Sequence, residues 1–299
     1  MPPGITALAP PAMGDTERFG IRSREVGKPF IVDVARLTLP GGAPPSGNLP
    51  VVFVTDGGQF FPVVSAIVRS APGVFPPLIV VGIDYDTAGA TPAGIGALIE
   101  AGVRRAEDFT PSADKTYSAF TPLALQTFER MGLTAPQPRL GRANAFLAFI
   151  DRELKPFLAA RYSANVADST LIGHSMGGLF ALHVLFTSPQ SFKRYVVLSP
   201  AVSYDEGLLF REEQAVGDID ARVFMGVGGA DVPEILEGTP RLDGAIRARQ
   251  RPSLRYTYRL FAGENHLSVY PGSVTAGLRA VLDPPALAAP APARSESAR

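Results

Sequence analysis

The chain has 299 residues, of which 46% are hydrophobic and 19% charged, a composition typical of a globular protein with a sizeable buried core. Its 28 basic and 28 acidic residues give a formal net charge of zero, so it lacks the basic excess that marks nucleic-acid-binding proteins. It contains no cysteine, which excludes disulfides, thiolate metal sites and cysteine nucleophiles.

The segment before the first predicted strand, residues 1–15, is expected to be a flexible arm. It lacks the basic start and the apolar core of a secretory signal peptide. We therefore expect a cytoplasmic protein, with a periplasmic or secreted one as the alternative if a signal has been removed. No apolar run approaches the roughly 20 residues of a membrane-spanning helix, so no membrane span is expected.

The next part of the chain predicts strands. Alternating apolar residues indicate two of them, residues 19–22 and 30–39, separated by a turn at Gly27. The runs VVFVTDG and PLIVVGIDYD are rich in β-branched residues, which is typical of strands buried on both faces of a parallel sheet. Between these runs, residues 60–70 have the pattern of a crossover helix.

Residues 87–140 interrupt this pattern with a segment rich in Pro, Thr, Ala and Gly, whose helical signals cover only residues 95–103 and 123–131. A long stretch without clear strands indicates an insertion over a functional site, and a loop without functional role is the alternative. We expect a cap that sets substrate choice. The apolar side chains available to shelter an acyl group are Phe109, Tyr117, Phe120, Leu123 and Phe128.

After the insertion, helices and strands alternate. An apolar helical stripe covers residues 146–158, and Pro156 within it predicts a kink. Further buried strands are predicted in TLIGH, RYVVLSP and ARVFMGVGG. The alternating segment SLRYTYRLFAG is predicted as the last strand, followed by a closing helix at residues 274–282. This order predicts one α/β domain, residues 16–283, with a mostly parallel sheet and helices on both faces. The Ala/Pro-rich tail, residues 284–299, is expected to be disordered.

A nucleophile-elbow motif lies between a predicted strand and a predicted helix. The residues Gly173-His174-Ser175-Met176-Gly177 fit G-x-S-x-G. A tight strand-to-helix turn strains the serine backbone and requires glycine on both sides, and it exposes the hydroxyl beyond the sheet edge. The turn also leaves the Met176 amide at a helix N-terminus, where it is suited to bind an oxyanion.

A serine nucleophile needs a base, and the chain has only three histidines. His174 lies within the motif, and its side chain is expected to point away from that of Ser175. His183 lies about 12 Å further along the same helix, which places it out of reach. His266 follows the last predicted strand, so it can reach the carboxyl ends of the strands and is the predicted base.

The acid and the second oxyanion donor are predicted from chain order. In proteins with this elbow the acid lies between the serine and the histidine in the sequence. Asp231 meets this condition and follows the penultimate predicted strand, so it is the predicted acid. Glu234 is the alternative acid, and Asp231 could instead cap the helix that begins in VPEIL. The second oxyanion amide is expected in the loop after VVFVTDG, where Gly58 is the candidate and a glycine turn without substrate contact the alternative.

Together these residues resemble the putative-esterase family of α/β-hydrolases, which includes esterase D-like enzymes and enterobactin-type siderophore esterases. The resemblance extends from about residue 19 to 282, and its landmarks are VVFVTDGG, RAEDFTP, FLAFIDRELKPFL, GHSMGG and ENHLSVYP. It implies an α/β-hydrolase fold with Ser175 as nucleophile, His266 as base and the amides of Met176 and Gly58 in the oxyanion hole. Some siderophore-esterase relatives use a Ser–His dyad, which is the alternative to a triad.

The resemblance also covers two charged residues beside the site. Arg105 and Asp108 match the family's Arg and Asp there, either as a paired structural bridge or as substrate contacts. Within the cap-like insertion, the predicted substrate-binding residues are Arg105, Tyr117, Phe120 and Leu123.

The sequence therefore predicts a serine carboxylic-ester hydrolase that acts through an acyl-enzyme on a small or medium ester. A siderophore-type lactone is among the candidate substrates. No cofactor or metal is expected. The expected partner is a small-molecule ester, and the sequence leaves the oligomeric state open. The alternatives are an acyltransferase with the same catalytic residues and a non-catalytic binding protein on a hydrolase fold.

Overall fold

The structure is a computed structural model that describes residues 14–37, 48–88, 94–114, 122–130, 132 and 134–283. Its strands are β1 (Thr16–Arg22), β2 (Pro29–Leu37), β3 (Leu49–Val54), β4 (Leu78–Tyr85), β5 (Ala164–His174), β6 (Arg194–Leu198), β7 (Ala221–Gly228) and β8 (Leu254–Phe261). Its helices are α1 (Gly57–Ser70), α2 (Ile95–Phe109), α3 (Pro122–Arg130), α4 (Ala143–Phe149), α5 (Lys155–Tyr162), α6 (Met176–Thr187), α7 (Tyr204–Ala215), α8 (Pro233–Ala248) and α9 (Val269–Val281).

The strands form one sheet in the order β1-β2-β4-β3-β5-β6-β7-β8. β2 is antiparallel to both β1 and β4, whereas every neighbouring pair from β4 to β8 is parallel. The β-branched strands β3, β4 and β6 are buried along nearly their whole length, as strands covered on both faces must be. The predicted α/β architecture with a mostly parallel sheet is confirmed.

Helices cover both faces of the sheet. On one face α1 and α9 bury residues such as Phe61 and Leu278, and on the other α4 and α6 bury residues such as Phe146 and Phe180. The helix that follows the nucleophile motif, α6, is buried from Met176 to Phe186, which explains why its sequence is apolar all round. Within the described ranges no helix is both long and apolar enough to cross a membrane.

The predicted kink at Pro156 takes the form of a π-helical turn. Residues Ile150–Leu154 form this turn between α4 and α5, and Pro156 lies in the first turn of α5. Proline has no N–H to donate to a helical carbonyl, so the ordinary bonding pattern cannot continue through it.

The described part of the insertion contains two helices, and some of its side chains belong to the core. Both helical signals are confirmed as α2 and α3. The expectation that Phe109 shelters an acyl group is wrong, because its ring is 1% exposed and packs against the rings of Phe146 and Phe180. Tyr117 and Phe120, together with the side chain of Leu123, lie outside the described residues, and the cap's role in substrate choice stays a prediction.

Candidate active site

Ser175 occupies a strained turn at the end of β5. It is the one residue between β5 and α6, and its backbone has φ 59° and ψ −116°. The Ser175 amide donates to the carbonyl oxygen of Leu198 at 2.9 Å, and the Ser175 carbonyl accepts from the amides of Leu179 and Ala201. These bonds to α6 and to the end of β6 hold the unusual conformation in place.

Glycine is required on both sides of Ser175, as the motif predicts. A Cβ atom added to Gly173 would lie 2.0 Å from the carbonyl oxygen of Gly177. One added to Gly177 would lie 2.5 Å from Thr55 Oγ1. Larger residues at these two positions would therefore push α6 away from the sheet edge.

The carboxyl ends of β7 and β8 bring an acid and a histidine together. His266 Nδ1 lies 2.8 Å from Asp231 Oδ1, and the Asp231 side chain is fully buried. The same carboxylate accepts from the Ser199 hydroxyl at 2.5 Å and from the Val232 amide at 2.8 Å. Because the buried carboxylate accepts from Nδ1–H, Nε2 of the neutral ring is left as the acceptor that a base requires.

Of the two candidate acids, the structure brings only Asp231 to the histidine. Glu234 lies exposed in the first turn of α8, with no contact to His266 among the described residues. Sequence reasoning missed Ser199, which follows β6 with a left-handed φ of 40° and orients the Asp231 carboxylate. No local pattern distinguishes this serine.

His174 ties the nucleophile elbow to the loop of His266, a role that sequence reasoning did not assign. Its Nε2 lies 2.7 Å from the carbonyl oxygen of His266, and the two imidazole rings are 4.6 Å apart. Burial lowers the pKa of His174 to about 4, so the ring is neutral at physiological pH. A neutral ring facing a carbonyl oxygen must carry its proton on Nε2 and donate it.

We expect His174→Ala to lower kcat about ten- to hundredfold at nearly unchanged KM, because small displacements of a catalytic base are that costly. The measurement is steady-state kinetics on a p-nitrophenyl ester. His183 provides the control, since its ring contacts Glu212 and Asn144 in another part of the core. His183→Gln should lower the Tm and leave kcat nearly unchanged. Equal kcat losses in both variants would contradict the role of His174.

The candidate oxyanion amides lie at two helix N-termini. Met176 is the first residue of α6, and Gly58 is the second residue of α1. In α1 the first backbone amides to donate within the helix are those of Gln59 and Phe60, which both donate to the carbonyl oxygen of the N-cap residue Asp56. The Gly58 amide precedes them and is therefore not part of the helical hydrogen-bonding pattern. Helix N-termini favour negative charge, which suits both amides to an oxyanion.

Arg105 forms a bridge, but its partner is Asp56 and not Asp108. Arg105 Nε lies 2.7 Å from Asp56 Oδ1, and Nη2 lies 3.0 Å from Asp56 Oδ2. Nη2 also donates to the carbonyl oxygen of His174 at 3.2 Å. The guanidinium therefore links the loop before Gly58 to the elbow, which positions the two candidate oxyanion donors relative to each other.

Asp108, one turn further along α2, is buried. It is 1% exposed, and neither carboxylate oxygen has a hydrogen-bond partner within the described chain. Burial raises the pKa of Asp108 from 3.8 to about 7, against the opposing charge of Arg104. Below the raised pKa the folded protein therefore holds this carboxyl in its neutral form.

We expect Asp108→Asn to stabilise the protein above pH 7. Between pH 4 and 7 the unfolded chain releases the Asp108 proton and the folded chain retains it, so wild-type stability falls as the pH rises. A rise in pKa from 3.8 to about 7 corresponds to a loss of roughly 4 kcal/mol in the free energy of unfolding once Asp108 is ionised. Asparagine does not ionise, so the variant is spared this loss. Denaturant unfolding at pH 5 and pH 8 measures the effect. The exposed Asp220→Asn is the control, and an Asp108→Asn variant with the wild-type pH dependence would contradict the prediction.

A cavity of about 380 Å³ opens beside Gly58, between the N-terminal turn of α1, the end of β4 and one face of α2. Its charged lining residues are Asp56, Asp84 and Arg105. The predicted substrate-binding residue Arg105 thus lines a cavity next to the elbow, although Asp56 already occupies its guanidinium. Neither in this cavity nor anywhere else in the described ranges do three or more His, Asp or Glu side chains form a group that could hold a metal ion.

Comparison with known sequences gives matches over most of the chain. A sequence model of the putative esterase family matches residues 34–225. The ferri-bacillibactin esterase BesA of Bacillus subtilis is 25% identical over 284 residues, which cover 90% of this chain and 90% of that protein. The siderophore triacetylfusarinine C esterase of Aspergillus fumigatus is 29% identical over 211 residues, which cover 69% of this chain and 62% of that protein.

Comparison with solved structures agrees with the sequence matches. The BES protein from Bacillus cereus superposes with a TM-score of 0.75 at 28% identity, covering 93% of this chain and 100% of that chain. The siderophore hydrolase EstA from Aspergillus nidulans superposes with a TM-score of 0.69 at 22% identity, covering 92% of this chain and 96% of that chain. The second likeness concerns the fold alone, and the α/β-hydrolase fold expected from the sequence is confirmed.

Proposed function

Because the chain belongs to the putative esterase family, we propose that it hydrolyses a siderophore-type ester through an acyl-enzyme formed on Ser175. It is a serine ester hydrolase, as the family and the named relatives indicate. The observation that carries the residue assignment is the 2.8 Å contact between His266 and the buried Asp231, at the sheet edge where Ser175 follows β5.

In the first half of the proposed reaction, His266 Nε2 takes the proton of the Ser175 hydroxyl as Oγ attacks the ester carbonyl carbon. The carbonyl oxygen becomes an oxyanion, which the amides of Met176 and Gly58 hold by hydrogen bonds. Each such donor contributes about 3–4 kcal/mol to lowering the barrier. Asp231 stabilises the imidazolium through Nδ1 and does not take its proton.

In the second half, the imidazolium gives its proton to the leaving alkoxide while the carbon–oxygen bond to the alcohol breaks. Water then attacks the carbonyl carbon of the acyl-enzyme while His266 takes one of its protons. The bond between that carbon and Ser175 Oγ breaks, His266 returns the proton to Oγ, and the acid product leaves.

The siderophore part of the proposal rests on relatives. The ferri-bacillibactin esterase spans 90% of this chain, and the second relative is named for a different siderophore ester. Both names describe esters within iron-binding molecules, so the shared feature is the ester and not one particular iron-binding group.

The test is hydrolysis of two siderophores, a cyclic tri-lactone of the catecholate type and a hydroxamate triester, each with and without iron. We expect mass spectrometry to find ring-opened product that has gained one water in at least one case. Cleavage of p-nitrophenyl esters without cleavage of either siderophore would overturn the substrate proposal and leave the esterase intact. Ester exchange to an added alcohol that exceeds hydrolysis would instead identify an acyltransferase.

A further inference from the structure

A pair of stacked rings joins the loop of the candidate base to the loop of a candidate oxyanion donor. Phe60 lies two residues after Gly58 in α1, and Tyr270 lies four residues after His266 in α9. The two ring centroids are 3.7 Å apart, and the ring planes differ by 10°. Both residues are buried, at 6% and 2% exposure. Because a close-packed interior transmits displacements, movement of one loop is passed to the other through this stack.

A third ring, that of His174, joins the stack from the nucleophile elbow. Its plane lies nearly perpendicular to both rings, at 77° to Phe60 and 85° to Tyr270, with centroid distances of 5.6 and 5.7 Å. Aromatic rings favour such edge-to-face contacts because their edges are positive and their faces negative. His174 also donates to the carbonyl oxygen of His266. The three rings therefore connect the elbow, the oxyanion loop and the base loop.

Packing, and not hydrogen bonding, fixes the Tyr270 side chain in this cluster. Its hydroxyl is buried and has no hydrogen-bond partner among the residues that the structure describes. Burial, followed by the charge of Asp56, raises the pKa of Tyr270, so the phenol is neutral at physiological pH. The backbone is fixed separately, since the Tyr270 amide donates to the carbonyl oxygen of Leu267 at 3.3 Å. What the side chain contributes to the cluster is therefore the face of its ring.

We propose that Tyr270 is a positioning residue, whose ring face sets the place of His266 relative to the oxyanion amide of Gly58. Proton transfer from Ser175 and stabilisation of the oxyanion occur in the same transition state, so the base and the amide must be placed correctly together. A misplacement of about 1 Å can cost roughly a hundredfold in rate. The bound ester has not yet developed these charges, so the loss affects kcat more than KM.

This inference rests on the proposed ester hydrolysis at Ser175 and gives Tyr270 no chemical step of its own. The competing explanation is that the stack only stabilises the core, in which case its removal would lower the Tm without a specific loss of kcat. A second stack in the core separates the two explanations. Phe30 and Phe149 are stacked at 4.5 Å and 12°, and both are fully buried on the opposite face of the sheet.

The test compares Tyr270→Leu, Tyr270→Phe and Phe149→Leu by thermal unfolding and by steady-state kinetics on a p-nitrophenyl ester, well below each Tm. Leucine stays apolar but removes the ring face, whereas phenylalanine keeps the ring and removes only the hydroxyl. We expect Tyr270→Leu to lower kcat at least about tenfold while KM changes less than about twofold. Tyr270→Phe should restore kcat to within about twofold of wild type, because the stack is retained.

Phe149→Leu is the matched control, because it makes a ring-to-leucine change in the other stack. We expect it to lower the Tm at least as much as Tyr270→Leu and to keep the wild-type kcat. If Tyr270→Leu does not fold, Tyr270→Met is measured in its place. An unchanged kcat without the ring, an equal loss in Tyr270→Phe, or an equal loss in Phe149→Leu would overturn the inference. A wild type that cleaves no ester would instead refute the proposed function on which the inference rests.

Discussion

Ser175→Ala is expected to lower kcat/KM for a p-nitrophenyl ester by at least about a thousandfold while the Tm stays close to that of wild type. Without the hydroxyl no acyl-enzyme forms, and only catalysis by the oxyanion amides and by substrate binding remains. Alanine leaves the strained backbone at φ 59° unchanged, because it has a Cβ like serine, so the variant isolates the chemistry.

His266→Ala is the companion measurement. We expect a similar loss, because a serine without its base is a weak nucleophile. The double variant should be little worse than either single one, since the two residues act as one unit. Substantial turnover by either single variant would contradict the assignment, as would losses that multiply in the double variant.

Asp231→Asn is expected to lower kcat by about a thousand- to ten-thousandfold with little change in KM. In asparagine an NH2 group takes the place of one carboxylate oxygen. The two oxygens of Asp231 face the Ser199 hydroxyl and His266 Nδ1, so the variant cannot accept a hydrogen bond at both positions. A donor facing Nδ1 would force the proton onto Nε2, and the ring would then be in the wrong tautomer to accept a proton from Ser175.

Glu234→Gln is the matched control for this prediction. It makes the same chemical change three residues away, in an exposed carboxylate on the first turn of α8. We expect wild-type kinetics and an unchanged Tm. Near-normal rates in both variants would indicate a Ser–His dyad, and a loss confined to Glu234→Gln would identify the other acid.

Much of the fold and the nucleophile could be predicted because their signals are local. Runs of β-branched residues specify buried strands wherever they occur. The two glycines around Ser175 belong to a five-residue motif, and the structure gives the contacts responsible: the carbonyl oxygen of Gly177 for Gly173, and Thr55 for Gly177. With only three histidines, elimination reduced the choice of base to His266.

The remaining features depend on contacts between distant segments. Asp231 and Glu234 follow the same strand, and only the direction of the chain as it enters α8 brings one of them to His266. The partner of Arg105 is Asp56, 49 residues away, and not the nearby Asp108. The sequence places Phe109 in a segment rich in Pro and Gly, which suggested a cap residue. The packing of α2 against α4 and α6 instead directs its side chain into the core.

The loop that carries His266 shows the same limit. The carbonyl oxygen of His266 accepts a hydrogen bond from the side chain of His174, 92 residues earlier in the chain. Sequence position indicated only that His174 lies beside the nucleophile. Its partner becomes visible only once β8 is placed at the edge of the sheet beyond β7.

Formation of an acyl-enzyme on Ser175 is tested by labelling with a fluorophosphonate, followed by intact-mass and peptide analysis. The reagent's phosphorus takes the place of the ester carbonyl carbon and forms a bond with the activated serine oxygen. We predict one adduct per chain, on the peptide that contains Ser175, with activity lost in proportion, and no adduct on Ser175→Ala. An adduct on another residue, or equal labelling of Ser175→Ala, would contradict the account.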